Sequence, residues 1–243
     1  MTPAYTEGER RLRAIVRAFL SPGVWLVVGA QFLAQFALRQ GVAAGEPGPD
    51  LPRTLLISAL MMGFAYLQAG AYHGLTKGSD RLTLREVATP GVALFARFLW
   101  LFLKLGVSVA LVFNLFALVL MGAAGVSPDA FARQLVPILP MLLAVLSLVF
   151  VYWLPLVFVT GDFRLFATWR RALHTAWQRL PQSGFIAALL IAPVALLLLL
   201  PEGMPEALLL LLSALASLLG WVVYIYCVEW LRDHPPEDAL AAG

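Results

Sequence analysis

The side chains of this chain that are able to move protons, hold metals or attack a substrate are sparse and scattered. Its one cysteine, Cys227, permits no intramolecular disulfide, and its three histidines, His73, His174 and His234, lie far apart in sequence. No cysteine and histidine cluster has the close spacing of a structural metal site, so a metal centre would need the histidines to converge through tertiary contact. No Walker A loop, HExxH helix or GxSxG elbow occurs, and ATP hydrolysis, zinc proteolysis and α/β-hydrolase chemistry lack their usual parts. With no nucleophile and base pair visible, the expectation is a non-enzymatic protein without catalytic residue, metal or cofactor.

What polar chemistry there is lies inside apolar stretches. Lys104 sits about two helical turns into one of them, with Ser108 a turn further and Asn114 deeper. It reads either as a ligand for an anionic headgroup or substrate, or as a stem snorkelling to an interface about 10 Å away. Gln31 and Gln35, four apart, share a helix face and either line a polar path or bond to a neighbouring helix. Gln68, Tyr72 and His73 form a polar cluster or a set of interface anchors. Gly70 and Gly74, preceded by Ala65 and Ala69, and Ser213, Ser217 and Gly220 further on, allow close helix packing, within one bundle or between copies.

The elements that must position these groups follow from composition. Of the 243 residues, 61% are hydrophobic and 13% charged, with a mean hydropathy of +0.85. A soluble domain carries roughly a quarter charged residues, and the apolar excess here exceeds what one water-soluble core hides. The expected fold is all-α: six transmembrane helices over about 22–44, 54–75, 98–122, 136–159, 184–200 and 207–231, in one domain over 1–232, with a polar tail over 233–243. Pro22 after Ser21 marks a helix start behind its cap, and Pro193 a kink.

Charge supplies the orientation. Thirteen Lys and Arg residues fall on one side of these spans and three, Arg39, Arg53 and Arg133, on the other. That asymmetry places both termini in the cytoplasm, and the first apolar segment reads as an uncleaved anchor. Of the carboxylates, Glu7, Glu9, Asp80, Glu86, Asp162, Asp233, Glu237 and Asp238 fall on the inner side and Glu46, Asp50, Asp129, Glu202 and Glu206 on the outer, with Glu229 at the inner end of the last span. None falls at mid-membrane, which leaves a proton or sodium relay poorly supported. The net charge of +3 belongs beside lipid headgroups and not to nucleic acid.

Three inner segments share a design of basic amphipathic helix followed by a membrane hairpin. The first puts Leu12, Ile15, Val16, Phe19 and Leu20 on one stripe and Arg10, Arg13 and Arg17 on another, with Thr6 and Glu9 at capping-box spacing. The second repeats that spacing at Thr83 and Glu86 and continues a stripe through Leu84, Val87, Ala88, Gly91 and Phe95. The third sets Leu165, Phe166, Trp169, Ala172, Leu173, Ala176, Trp177 and Leu180 against Arg164, Arg171, His174 and Gln178. Its expected place is the membrane interface, with Arg164, Arg170, Arg171 and Arg179 at the phosphates of anionic lipids.

The run from Tyr152 to Val159, then Gly161-Asp162, then Trp169 to Trp177, together with Tyr224-Ile225-Tyr226 ahead of Trp230, resembles a group of bacterial six-helix membrane proteins. That group includes the membrane domain attached to some glycerophosphoryl diester phosphodiesterases. The resemblance implies a module of the bacterial cytoplasmic membrane, carries over no catalytic residue, and comes without the soluble phosphodiesterase domain, since nothing beyond Leu231 is long enough. A lipid-interacting or accessory subunit, with a protein partner or a second copy, is the leading expectation; a transporter, or the permease of a complex with a separate ATPase, is the other.

Overall fold

A computed structural model describes residues 6–43, 51–78, 81–125, 127, 146, 150–199 and 206–234. Among the described residues every regular element is an α-helix: α1 (Glu7–Leu20), α2 (Pro22–Ala43), α3 (Leu51–Thr76), α4 (Leu84–Ala88), α5 (Val92–Ala124), α6 (Phe150–Thr160), α7 (Leu165–Gln178), α8 (Leu180–Leu199) and α9 (Glu206–Asp233). Three stretches, Thr54–Thr76, Val92–Val119 and Leu208–Asp233, are long and apolar enough to cross a membrane, and the bent pair α1 and α2 makes up to four. Helices α6 and α8 are apolar but count as shorter pieces. Most of the fourth expected span lies outside the described residues, as do Glu46, Asp50, Asp80, Asp129, Arg133, Glu202 and the tail with Glu237 and Asp238.

Helix α9 is the hub, packed against α1, α2, α3 and α8, while α2 lies along α3. The core is rich in aromatic rings. Tyr72 of α3 has the rings of Phe98, Phe158, Trp221 and Tyr224 at centroid distances of 4.7 to 6.0 Å, tying four helices to one side chain. The segment from Tyr152 to Val159 supplies a second anchor: Trp153 is fully buried and its Nε1 donates to Thr168 Oγ1 of α7 at 2.9 Å. Such rings bring large buried area, and the indole N–H is satisfied where it is buried.

Both expected capping boxes form. Thr6 Oγ1 accepts from the Glu9 amide at 3.4 Å while the Glu9 carboxylate accepts from the Thr6 amide at 2.9 Å, and Thr83 and Glu86 repeat this at 3.3 and 2.8 Å. Beyond the second box the chain departs from the expected stripe. Helix α4 stops at Ala88, and Gly91 at φ +85° lets the chain turn before α5 begins, so Gly91 and Phe95 do not continue one helix with Leu84. Pro90 explains the break, because the residue before a proline is pushed out of helical conformation.

Helix α4 is instead a wedge. Leu82 and Val87 are fully buried against three glycines. A Cβ built on Gly23 would meet Val87 Cγ2 at 2.6 Å, one on Gly74 would meet Leu82 Cδ1 at 2.4 Å, and one on Gly70 would meet the Val87 carbonyl oxygen at 2.1 Å. The Gly70 and Gly74 pair thus admits a short loop helix and its backbone, not another long helix. Ser21, expected as a plain cap for α2, clamps the same wedge. Its Oγ donates to the Arg17 carbonyl at 2.6 Å and accepts from the Leu82 amide at 3.0 Å, and Gly23 N donates to Leu82 O at 3.0 Å. These bonds fix the 67° bend between α1 and α2.

Candidate functional site

The ends of α1, α7 and α9 and the link after α3 gather into one basic end of the bundle. Helix α1 meets it with two of its four arginines inward, while Arg11 and Arg13 are exposed. Arg10 and Arg17 are 6% and 7% exposed, whereas Leu12, Ile15, Val16, Phe19 and Leu20 face outward. Arg10 Nη2 lies 2.8 Å from an Asp233 carboxylate oxygen; Arg17 Nη1 lies 3.4 Å from Glu229, and its Nη2 donates to the Leu75 carbonyl at 2.9 Å. The outer face of α1 is therefore an exposed apolar stripe, with two buried cations on the face against the protein.

The four arginines expected at lipid phosphates turn out to do different things. Arg164 is 76% exposed and pairs with Asp162 at 2.9 Å, and Arg171 stands 3.8 Å from the same carboxylate. Arg170 is exposed on α7. Arg179 is a bolt: its Cζ lies 4.2 Å over the Trp230 ring, Nη1 donates to Tyr152 Oη at 3.3 Å, and Nη2 is 4.0 Å from Glu7, to which Tyr226 also donates. Only Arg164, just ahead of α7, and Arg170 and Arg171 on it lie together, and Asp162 holds two of the three.

Helix α7 has three sectors at 3.6 residues per turn. Leu165, Thr168, Ala172, Thr175 and Ala176 are buried against the bundle. Beside them runs an exposed apolar strip of Phe166 (78%), Leu173 and Trp177 (75%), and the third sector holds Arg170, Arg171, His174 and Gln178. The expected single apolar stripe is therefore split between protein and surroundings.

The turn into α7 is set by charge. Asp162 accepts from the Arg164 amide and Nε, both at 3.0 Å, and the Arg164 hydrogen bond first of all, with the neighbouring guanidiniums, holds its carboxyl below the ordinary value of 3.8. A carboxyl whose pKa is lowered by folding contributes stability above its ordinary range and loses it as pH falls through the lowered value. Amide hydrogen exchange at residues 161–168, corrected for intrinsic rates, is therefore expected to stay slow down to about pH 4 and to rise below it. Asp162→Asn should raise it already at neutral pH; unchanged protection in that variant would show that the turn is held otherwise.

The polar residues expected within the apolar spans divide. Gln31 and Gln35 accept from Ser217 and Ser213, the latter at 3.0 Å, forming a two-rung ladder between α2 and α9. Asn114 Nδ2 donates to the Ala110 carbonyl of its own helix at 2.7 Å. Lys104 is exposed on α5, its Nζ 5.3 Å from the Trp100 ring centroid. His73 lies on α3, His174 contacts Gln178 at 2.9 Å, and His234 stacks on Trp230 at 4.8 Å. Among the described residues no three histidine, cysteine or acidic side chains come together as a metal site.

Two cavities were not foreseen. A groove of about 320 Å³ between α1, α8 and α9 is apolar along Ile15, Phe19, Phe185, Leu189, Leu215 and Leu219, and polar only where Arg11, Gln182 and Tyr226 meet at the basic end. A second, of about 290 Å³, lies in the bundle beside Gln31, Gln68, Tyr72, Pro155, Ser217 and Tyr224. The spacing of Gln182, Phe185, Ile186 and Leu189 on one helix face was the available signal for the groove, but its other two walls come from distant parts of the chain. No protein-family model, curated protein or solved structure matches the chain.

Proposed function

We propose that this chain is a six-span membrane protein with both termini on the cytoplasmic side, and that it holds an anionic phospholipid in the groove between α1, α8 and α9. The observation that carries this reading is the groove's polarity. Its walls are hydrocarbon for about 6 Å along α8 and about 12 Å along α9, at 1.5 Å per residue, and end in the cation Arg11 and the polar groups of Gln182 and Tyr226. That is the pattern of an acyl chain below a phosphate. Its volume falls at the lower end of ligand sites, about 300 to 1,000 Å³.

The surroundings agree with a lipid occupant. The groove opens beside the outward stripe of α1 and the exposed Phe185, and the apolar strip of α7 with its flanking arginines suits a headgroup boundary. The thirteen-to-three bias of basic residues supports the cytoplasmic placement of the basic end. An accessory membrane subunit would use such a groove without chemistry of its own.

Native mass spectrometry of the full chain extracted from vesicles of equal phosphatidylglycerol and phosphatidylcholine tests this. The wild type should retain phosphatidylglycerol. Arg11→Gln should weaken the preference for the anionic lipid about fivefold, as one cation near a headgroup contributes about 1 kcal/mol. Leu189→Trp, which fills the groove, should reduce retention of both lipids. Equal retention in all three proteins would overturn the proposal.

One observation favours a second reading as a transporter: the bundle cavity is lined by Gln31, Gln68, Tyr72 and Ser217. Substrate-dependent flux in proteoliposomes that disappears in Gln31→Leu would support it; Lys104, outside that cavity, should have no effect on such flux.

A further inference from the structure

A third cavity, of about 120 Å³, lies at the basic end, away from the lipid groove, and is lined by Arg10, Arg13, Arg17, Gly78, Glu229, Arg232 and Asp233. We infer that this cleft is a binding site for a phosphate group, free or carried by a lipid headgroup. The inference rests on residues other than those of the groove, except that α1 and α9 contribute to both.

Charge is the first reason. Four guanidiniums line the cleft with two carboxylates, and each carboxylate already faces its own arginine: Asp233 faces Arg10 at 2.8 Å and Glu229 faces Arg17 at 3.4 Å. No carboxylate of the described residues lies within 4.0 Å of the Arg232 guanidinium. With Asp233 and Glu229 engaged in these pairs, the Arg232 guanidinium adds positive charge in a confined space, where an anion is attracted more strongly than in water.

Unused donors are the second reason. The Nε atoms of Arg10 and Arg17 are buried and have no hydrogen-bond partner among the described residues. A buried N–H without an acceptor is costly, and guanidinium forks match the oxygens of a tetrahedral oxyanion two at a time. An oxyanion seated between these helices would offer acceptors to these two Nε–H groups, the Nη atoms of Arg10 and Arg17 being already engaged.

Geometry is the third. Gly78, at φ +89°, brings the link after α3 so close that a Cβ there would stand 3.3 Å from Arg232 Nη1. The close approach leaves the Arg232 guanidinium on the cleft wall, and the φ value excludes other residues without strain. Arg10, Arg13 and Arg17 arrive together because their spacing of three and four places them on one face of α1.

The test uses the full chain in neutral detergent and in nanodiscs, with thermal unfolding read at constant ionic strength. Inorganic phosphate is expected to raise the midpoint saturably. Arg232→Gln, which breaks no ion pair among the described residues, should bind phosphate at least about tenfold more weakly, the loss expected for a charge-assisted bond. Arg97→Gln, on the exposed face of α5, should bind as the wild type does. If phosphate has no effect but nanodiscs with phosphatidic acid stabilise the wild type over phosphatidylcholine nanodiscs, and Arg232→Gln loses that difference, the phosphate group is lipid-borne and the site stands. Stabilisation by neither, or the same response in wild type and Arg232→Gln, or an equal loss in Arg97→Gln, overturns it. The groove's lipid should survive Arg232→Gln in mass spectra, which separates the two proposals.

Discussion

Glu229→Leu and Arg17→Met should each destabilise the protein by about 3 to 5 kcal/mol, and the double variant by far less than their sum. The reason is where the charges sit. Arg17 is 7% exposed and Glu229 has a side chain 12% exposed, so neither regains much water when its partner is removed. The remaining charge is then buried without compensation, which is the costly case for ion pairs, while replacing both by apolar groups is often close to neutral. Arg17 also donates to the Leu75 carbonyl at 2.9 Å, so Arg17→Met additionally frees an acceptor near the end of α3. Unfolding of the four proteins in mixed micelles, followed by tryptophan fluorescence, measures the coupling. Additive losses would mean that the pair is held by water and contributes little, as exposed pairs do.

The contrast with Arg11 sharpens the point. Its guanidinium lies 3.5 Å from Glu7, but its side chain is 53% exposed, and an i, i+4 pair of that kind contributes only about 0.3 to 0.5 kcal/mol. Substituting Arg11 therefore probes lipid binding without unfolding α1, whereas Arg10 and Arg17 cannot be exchanged without disturbing the seat of α1 on α9.

The face of α1 that meets the protein was not legible in the sequence. Its periodicity separates an arginine stripe from an apolar one, but which stripe turns inward depends on carboxylates at Glu229 and Asp233, separated from Arg17 and Arg10 by 212 and 223 residues. In water the apolar stripe of such a helix would turn inward; a chain with 61% hydrophobic residues has a second apolar medium available, and the ordinary rule loses its force. Local signals fared better because their partners are near: both capping boxes close within three residues, and the helix starts at Pro22 and Leu180 fall close to prolines in the first turn. Arg179 shows the intermediate case. Its place in a basic run suggests a headgroup contact, yet Tyr152, Tyr226 and Trp230 lie on helices that only the tertiary fold brings beside it.

Gly70→Ala should cost about 1 to 3 kcal/mol, the range for forcing an extra methyl group into a closed site. The new methyl would lie 2.1 Å from the Val87 carbonyl oxygen, 2.8 Å from its carbon and 3.0 Å from its Cα, all backbone atoms that no rotamer change removes. Relief must come from moving α4, and α4 is held by Ser21 through the Leu82 amide and by its own capping box. The strain therefore passes to the elbow between α1 and α2, where Gly23 meets the same Val87 side chain. Gly29→Ala and Gly63→Ala, where nothing stands within 4 Å, should be neutral or slightly stabilising, since alanine is the better helix former. At Gly74 the obstructing atom is a leucine methyl that can rotate, which predicts a smaller loss than at Gly70. Thermal midpoints ordered Gly70→Ala lowest, then Gly74→Ala, then the two controls near wild type would place the close contact at the α4 backbone. A loss at Gly70 that grows with protein concentration would instead assign the glycine pair to an interface between copies.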